Sequence, residues 1–255
     1  MGGIYPSWAK RVFSAGGYDY LDAVSLHPYE YTNVFDEEKL INGINSIKDL
    51  MKEHSKGKPI KPIWITEIGF STYEGDTGFS ENDQAKNTVL SYAVTKAYDL
   101  ADKYIQYQLC DRDDLTNKES CWGILRKTNS QKYVPSGAKP SYLAVAALNN
   151  FIGKDTQYKS VINDGRYYAF NFYNKRINAN IALVQSYKGE KTVKYNFGCN
   201  TVDLYDMYGN KIKRLFSENG IYELSVNEMP QYAIGAFEKF EKSAEESKMT
   251  EIPFS

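Results

Sequence analysis

The 255-residue chain is short of several things, and each shortage removes a class of function. It has three cysteines, Cys110, Cys121 and Cys199, too few for a disulfide scaffold. Their spacing matches no metal motif; Cys110 and Cys121 flank one loop, either closely enough to pair or, the favoured reading, as buried free thiols. Net charge is −1, so no electrostatic case exists for nucleic acid or an anionic membrane as partner. No apolar run is long enough to span a bilayer. The opening MGGIYPSWAKRVF lacks the apolar core of a signal peptide, which leaves localisation unknown. No Gly-rich phosphate loop, nucleophile elbow or zinc motif occurs, so no cofactor or metal is expected. What the chain has in quantity is tyrosine, 22 residues. Such rings suit a sugar-stacking surface, and they also pack β-sheets.

Two regions differ in periodicity. Residues 1–153 alternate short apolar strands with helical patterns. YLDAVSLH (20–27) reads as a buried strand. FDEEKLINGINSIKDLMKEH reads as an amphipathic helix capped by Asp36, with Leu40, Ile44, Ile47, Leu50 and Met51 on one face. PIWITEIGF is the next strand. Ser80 caps a second helix, with Asp83 at its third position. YIQYQLC (104–110) is a third strand, and KPSYLAVAALNNFIG a last helix. Alternation of this kind predicts parallel strands joined by crossover helices. Residues 154–240 instead carry short β-rich runs punctuated by Asp164-Gly165, Gly209-Asn210 and Asn219-Gly220, all hairpin signals. They predict a small antiparallel sandwich-like β-domain. Residues 241–255 read as a charged tail.

Ligand sites in parallel α/β folds lie at the carboxyl ends of the strands. Glu67 ends the run Ile63-Trp64-Ile65-Thr66 at that place. A carboxylate there carries a desolvation cost that hydrogen bonds or a partner charge must offset. A use in catalysis and a structural ion pair are the two readings. His27 ends the preceding strand and should share the rim. Alone, a strand-end histidine is usually structural; beside Glu67 it becomes a candidate for lining a site. Tyr29 and Tyr31 follow it as hydrogen-bond donors or stacking faces. Asp111 ends the third strand, either as solvated loop or as a contact for ligand hydroxyls. Trp122 is either a pocket wall that stacks on sugar or a core residue. His54 reads as a solvated helix end.

YLDAVSLHPY, IWITEIGFST and YIQYQLCDRDD returning through CWGIL resemble the last part of a clan A glycoside hydrolase, nearest to family 39-like (β/α)₈ barrels. The resemblance implies a partial TIM barrel of about three strands followed by a small β-domain. It implies that Glu67 is the nucleophile of a retaining glycosidase, acting on an oligosaccharide or polysaccharide. His27, Tyr29, Tyr31, Asp111 and Trp122 become the substrate-binding candidates. Such enzymes take their acid/base from an Asn-Glu pair ending strand four. The only Asn-Glu here is Asn227-Glu228, in the β-region. The expectation is therefore a fragment lacking roughly five of eight barrel strands, inactive alone, and given to self-association or to pairing with a missing N-terminal half. A non-catalytic carbohydrate-binding or assembly module is the alternative. A complete small α/β enzyme using Glu67 in another way has no supporting motif.

Overall fold

The structure is a computed structural model and describes residues 6–29, 35–112, 114–129, 134–135, 137–236 and 250–251. The chain divides into two compact units, residues 1–139 and 140–255.

The first unit opens with helix α1 (Pro6–Ser14) and a 3₁₀ turn (Gly17–Tyr20). Strand β1 (Val24–Leu26), helix α2 (Glu37–His54), strand β2 (Ile63–Ile68), helix α3 (Glu81–Ala97) and strand β3 (Lys103–Gln106) come next. A two-residue pair, β4 (Thr128–Asn129) and β5 (Val134–Pro135), comes later. The three main strands form one parallel sheet in the order β1-β2-β3. The caps are where the sequence puts them. The Asp36 side chain accepts from the Lys39 amide at 2.9 Å, and Ser80 Oγ from the Asp83 amide at 3.0 Å. Leu40, Ile44, Ile47 and Met51 are the buried stripe of α2.

In this unit three expectations need correction. The strand expected over 20–27 is only Val24–Leu26, because Gly16, at φ 86°, starts a 3₁₀ turn that takes up residues through Tyr20. The strand expected over 104–110 ends at Gln106, and Cys110 makes only an isolated bridge to Leu125. His54 is not simply solvated: Nδ1 bonds the Leu50 carbonyl at 2.9 Å and the ring packs edge-on to Phe13 at 5.7 Å.

Register decides which side chains meet across the parallel sheet. Val24, Ser25 and Leu26 pair with Ile63, Trp64 and Ile65. On the other side, Trp64 and Ile65 pair with Lys103 and Tyr104, and pairing then resumes at Ile68–Gln106 after an irregularity. Ile63 and Ile65 are buried, whereas Trp64 and Thr66 are half-buried. On β3, Ile105 is 49 % exposed.

The second unit begins with helix α4 (Pro140–Ile152). A six-stranded antiparallel sheet contains β6 (Thr156–Asn163), β7 (Tyr167–Asn174), β8 (Ala179–Ser186), β10 (Thr201–Asp206), β11 (Lys211–Phe216) and β13 (Gln231–Ala236). Its order is β11-β10-β13-β8-β7-β6. A three-stranded sheet holds β9 (Lys191–Asn196), β12 (Ile221–Val226) and the short β14 (Thr250–Glu251) from the charged tail, in the order β12-β9-β14. Asp164-Gly165 and Gly209-Asn210 turn the β6–β7 and β10–β11 hairpins. Asn219-Gly220 does not turn a hairpin. It carries the chain from β11 to β12 in the other sheet, and Gly220 holds φ 74° there. The core draws on both sheets, with Tyr167 and Val184 from one and Val193, Tyr195 and Leu224 from the other. Phe151 of α4 packs against Tyr205 and Tyr232 at 5.0 and 4.9 Å, so the helix read as the last of the first region is held by β-strand residues.

Candidate functional site

The irregularity in the β2–β3 ladder lies at Thr66-Glu67. A register shift bends a strand and re-aims side chains, so strict alternation is lost there. Both residues consequently reach His27 at the end of β1. His27 Nε2 lies 2.9 Å from Thr66 Oγ1, and Nδ1 lies 3.4 Å from Glu67 Oε2. Ser25 Oγ reaches Thr66 Oγ1 at 2.6 Å, so a polar row runs across the two strands. Pro28 follows His27 and turns the chain so that the Tyr29 hydroxyl donates to Glu67 Oε2 at 3.0 Å. The Glu67 side chain is 37 % exposed and His27 21 %, so the carboxylate is held from one side and open on another.

Tyr29 belongs to an aromatic cluster. Its ring centroid lies 4.8 Å from Trp122 and 6.2 Å from Tyr107, and Tyr107 and Trp122 are 6.2 Å apart. Burial pushes the Tyr29 phenol far above the ordinary tyrosine range. The Glu67 charge and hydrogen bond reinforce the shift, and Tyr107 and Glu119 add smaller contributions. The phenol therefore keeps its proton through the neutral range and donates it to the carboxylate.

Trp122 arrives from a segment that doubles back beside the end of β3. The Gln108 amide donates to the Trp122 carbonyl at 3.0 Å, and the Ile124 amide to the Gln108 carbonyl at 3.1 Å. Gly69, two residues after Glu67, allows β2 and this loop to meet: a Cβ there would lie 1.9 Å from the Tyr107 carbonyl oxygen. Only glycine permits that approach.

The fold positioned around this carboxylate has parallels among solved structures. A family 39 glycoside hydrolase from Bacteroides cellulosilyticus WH2 superposes with a TM-score of 0.70 at 21 % identity, over 88 % of this chain and 46 % of the other. A GH30 endoxylanase from Clostridium papyrosolvens C71 gives 0.60 at 12 % identity, over 92 % and 54 %. The chain shares its fold with part of each of these structures. The chain spans about half the length of these matched structures. No protein-family model matches it, and no curated protein does.

Of the residues singled out from sequence, the structure brings Glu67, His27, Tyr29 and Trp122 together. Tyr31 lies outside the described residues. Asp111 turns inward: its side chain is 3 % exposed and pairs with Lys139 Nζ at 2.7 Å. Trp122 is 4 % exposed, its ring covered by tyrosines. Thr66, Tyr107 and Glu119 were not anticipated. The signal for Tyr107 was an aromatic just past an apolar strand; for Thr66 it was a hydroxyl beside the carboxylate. Glu119 gave no signal, because its relation to Tyr29 depends on a loop's return path. No group of three or more potential metal ligands occurs among the described residues.

Proposed function

We propose that this chain supplies the nucleophile side of a retaining glycoside hydrolase acting on the O-glycosyl bonds of an oligosaccharide or polysaccharide. In this reading β1, β2 and β3 are three strands of a (β/α)₈ barrel, and the antiparallel sheets form the sandwich-like domain that trails it. One observation carries it: Glu67 stands at the carboxyl end of a parallel strand, held by a tyrosine hydroxyl at 3.0 Å and beside His27.

The chemistry stems from that placement. Glu67 attacks the anomeric carbon and a glycosyl-enzyme forms as the leaving oxygen departs. A second carboxyl, about 5–5.5 Å away, protonates that oxygen and then activates water. Tyr29 orients the nucleophile by donating its hydroxyl to Oε2. His27 Nδ1, at the end of the neighbouring strand, lies 3.4 Å from the same oxygen. The acid/base comes from a part of the barrel outside this sequence, in keeping with matched structures about twice as long.

A second reading, a non-catalytic carbohydrate-binding or assembly module, draws on one observation. Glu67 is bonded by a tyrosine hydroxyl and flanked by a histidine, groups that also suit a site that holds sugar hydroxyls without turnover. The two readings part in one experiment. The 255-residue chain is assayed on aryl glycosides alone and then with a barrel half ending its fourth strand in Asn-Glu. The enzyme reading expects negligible turnover alone, activity on mixing, and loss of at least about 10³-fold with Glu67→Gln. Sugar binding without turnover in the mixture supports the module. Robust turnover by the isolated monomer, abolished by Glu67→Gln, refutes the missing carboxyl.

A further inference from the structure

We propose that Lys139 and Asp111 form a positioning pair that clamps the backbone on both sides of Trp122, and through Trp122 seats Tyr29 against Glu67. The value of this to catalysis rests on the reading above; the clamp itself does not.

The pair is buried, with side chains 2 % and 3 % exposed. Lys139 Nζ reaches Asp111 Oδ2 at 2.7 Å and Oδ1 at 2.9 Å. Taking two ions out of water costs several kcal/mol each, and a well-packed apolar pair often serves stability as well. What an apolar pair lacks is direction, and here every polar valence is aimed. Asp111 Oδ1 accepts the Gly123 amide at 2.8 Å. Lys139 Nζ also donates to Thr72 Oγ1 at 2.8 Å. Thr72 in turn donates its amide to the Cys121 carbonyl at 2.9 Å and its hydroxyl to the same oxygen at 3.3 Å. One ammonium therefore holds Cys121 through Thr72 and Gly123 through Asp111. The residue between them is Trp122.

Gly123 leaves no slack in this arrangement. A Cβ there would lie 2.2 Å from the Asp111 nitrogen and 2.6 Å from the Leu125 oxygen. With both flanks fixed, the Trp122 Cα–Cβ bond is aimed, and the ring lies 4.8 Å from the ring of Tyr29, whose hydroxyl donates to Glu67. Thr72 also belongs to the loop leaving β2 after Glu67, so the clamp ties the nucleophile's own loop to the segment that buttresses its donor.

The test uses the 255-residue chain and its three indole N–H resonances, from Trp8, Trp64 and Trp122. Asp111→Leu/Lys139→Met removes the charges and the acceptor for Gly123. Asp111→Asn/Lys139→Met removes the charges and keeps an acceptor. Folding is checked by thermal melts. In the first variant the Trp122 indole resonance should move or broaden, and the cross-relaxation between the Trp122 and Tyr29 rings should fall at least twofold. The second variant should recover more than half of that loss. Wild-type Trp122 signals in both folded double variants overturn the proposal, because a purely stabilising pair leaves them unmoved. Should the first variant fail to fold, Thr72→Val decides, since it severs the ammonium from Thr72 and leaves only the Thr72 amide on the Cys121 carbonyl: an unchanged Trp122 resonance there also overturns it. None of these readouts requires turnover, so the clamp can hold while the Glu67→Gln assay fails, and the reverse.

Discussion

The Tyr29 hydroxyl and the Glu67 carboxylate meet at 3.0 Å although they belong to the ends of different strands of the parallel sheet. The bond depends on Pro28 ending β1 and on the register shift in β2. Tyr29→Phe removes the donor and leaves the ring. With Glu67 37 % exposed, water replaces part of the loss. Denaturant melts should show a cost of about 1 kcal/mol, below the range for fully buried bonds to charged groups. A cost above about 3 kcal/mol would mean that the carboxylate is not solvated as described.

Gly69→Ala tests the close approach of β2 to the Tyr107 carbonyl. A methyl 1.9 Å from that oxygen forces backbone movement. The expected destabilisation is about 1–3 kcal/mol, together with a shift of the Trp122 indole resonance. An unchanged melting curve would show that the strand end already has room.

The buried ion pair makes a prediction about stability as well as position. Lys139→Met alone leaves the Asp111 carboxylate buried and unpaired, which costs about 3–5 kcal/mol. Adding Asp111→Leu removes the orphan charge and should return most of that loss. A double variant no more stable than the single one would contradict the assignment of the cost to an uncompensated ion. Chemical denaturation measures both.

The pH profile has two limbs. Burial raises Tyr29, Tyr104 and Tyr232 above the ordinary tyrosine range. Their raised folded-state values mean that their contribution is complete below the unfolded value of about 10 and is lost as pH rises beyond it. On the acid side, the Arg214 hydrogen bond chiefly lowers Asp203, helped by Lys211. Asp203 meets Arg214 Nε at 2.7 Å and Nη2 at 2.8 Å across directly opposed positions of β10 and β11. Its contribution is present above the unfolded carboxylate value of about 3.9 and fades as pH falls through the lower folded value. Asp203→Asn should flatten the acid limb of a Tm-against-pH curve and leave the alkaline limb in place.

Sequence showed the helices and their caps because those are local: Asp36 and Ser80 act on amides three residues away. It showed Glu67 and His27 because both end apolar runs. Strand lengths were less legible, since pairing across the sheet decides them, as with Gln106. Asp111 was read from its place at a strand end, but Lys139 pulls it inward, and nothing local joins those two. Asn219-Gly220 has hairpin chemistry, yet its flanking strands pair elsewhere. The aromatic cluster around Tyr29 was invisible for the same reason, as Trp122 reaches it only through a returning loop.

The parallel sheet also has a consequence for how the chain folds. Val24 pairs with Ile63 and Trp64 with Lys103, each pairing closed across a whole helix, whereas β6 and β7 meet through a tight turn at Asp164-Gly165. Loop-closure entropy must be met before distant pairings give anything back, so such contacts form slowly. The hairpins of the second unit can therefore assemble first. The strand that carries Glu67 is then among the last to be locked, and its apolar residues stay longest open to capture by other chains.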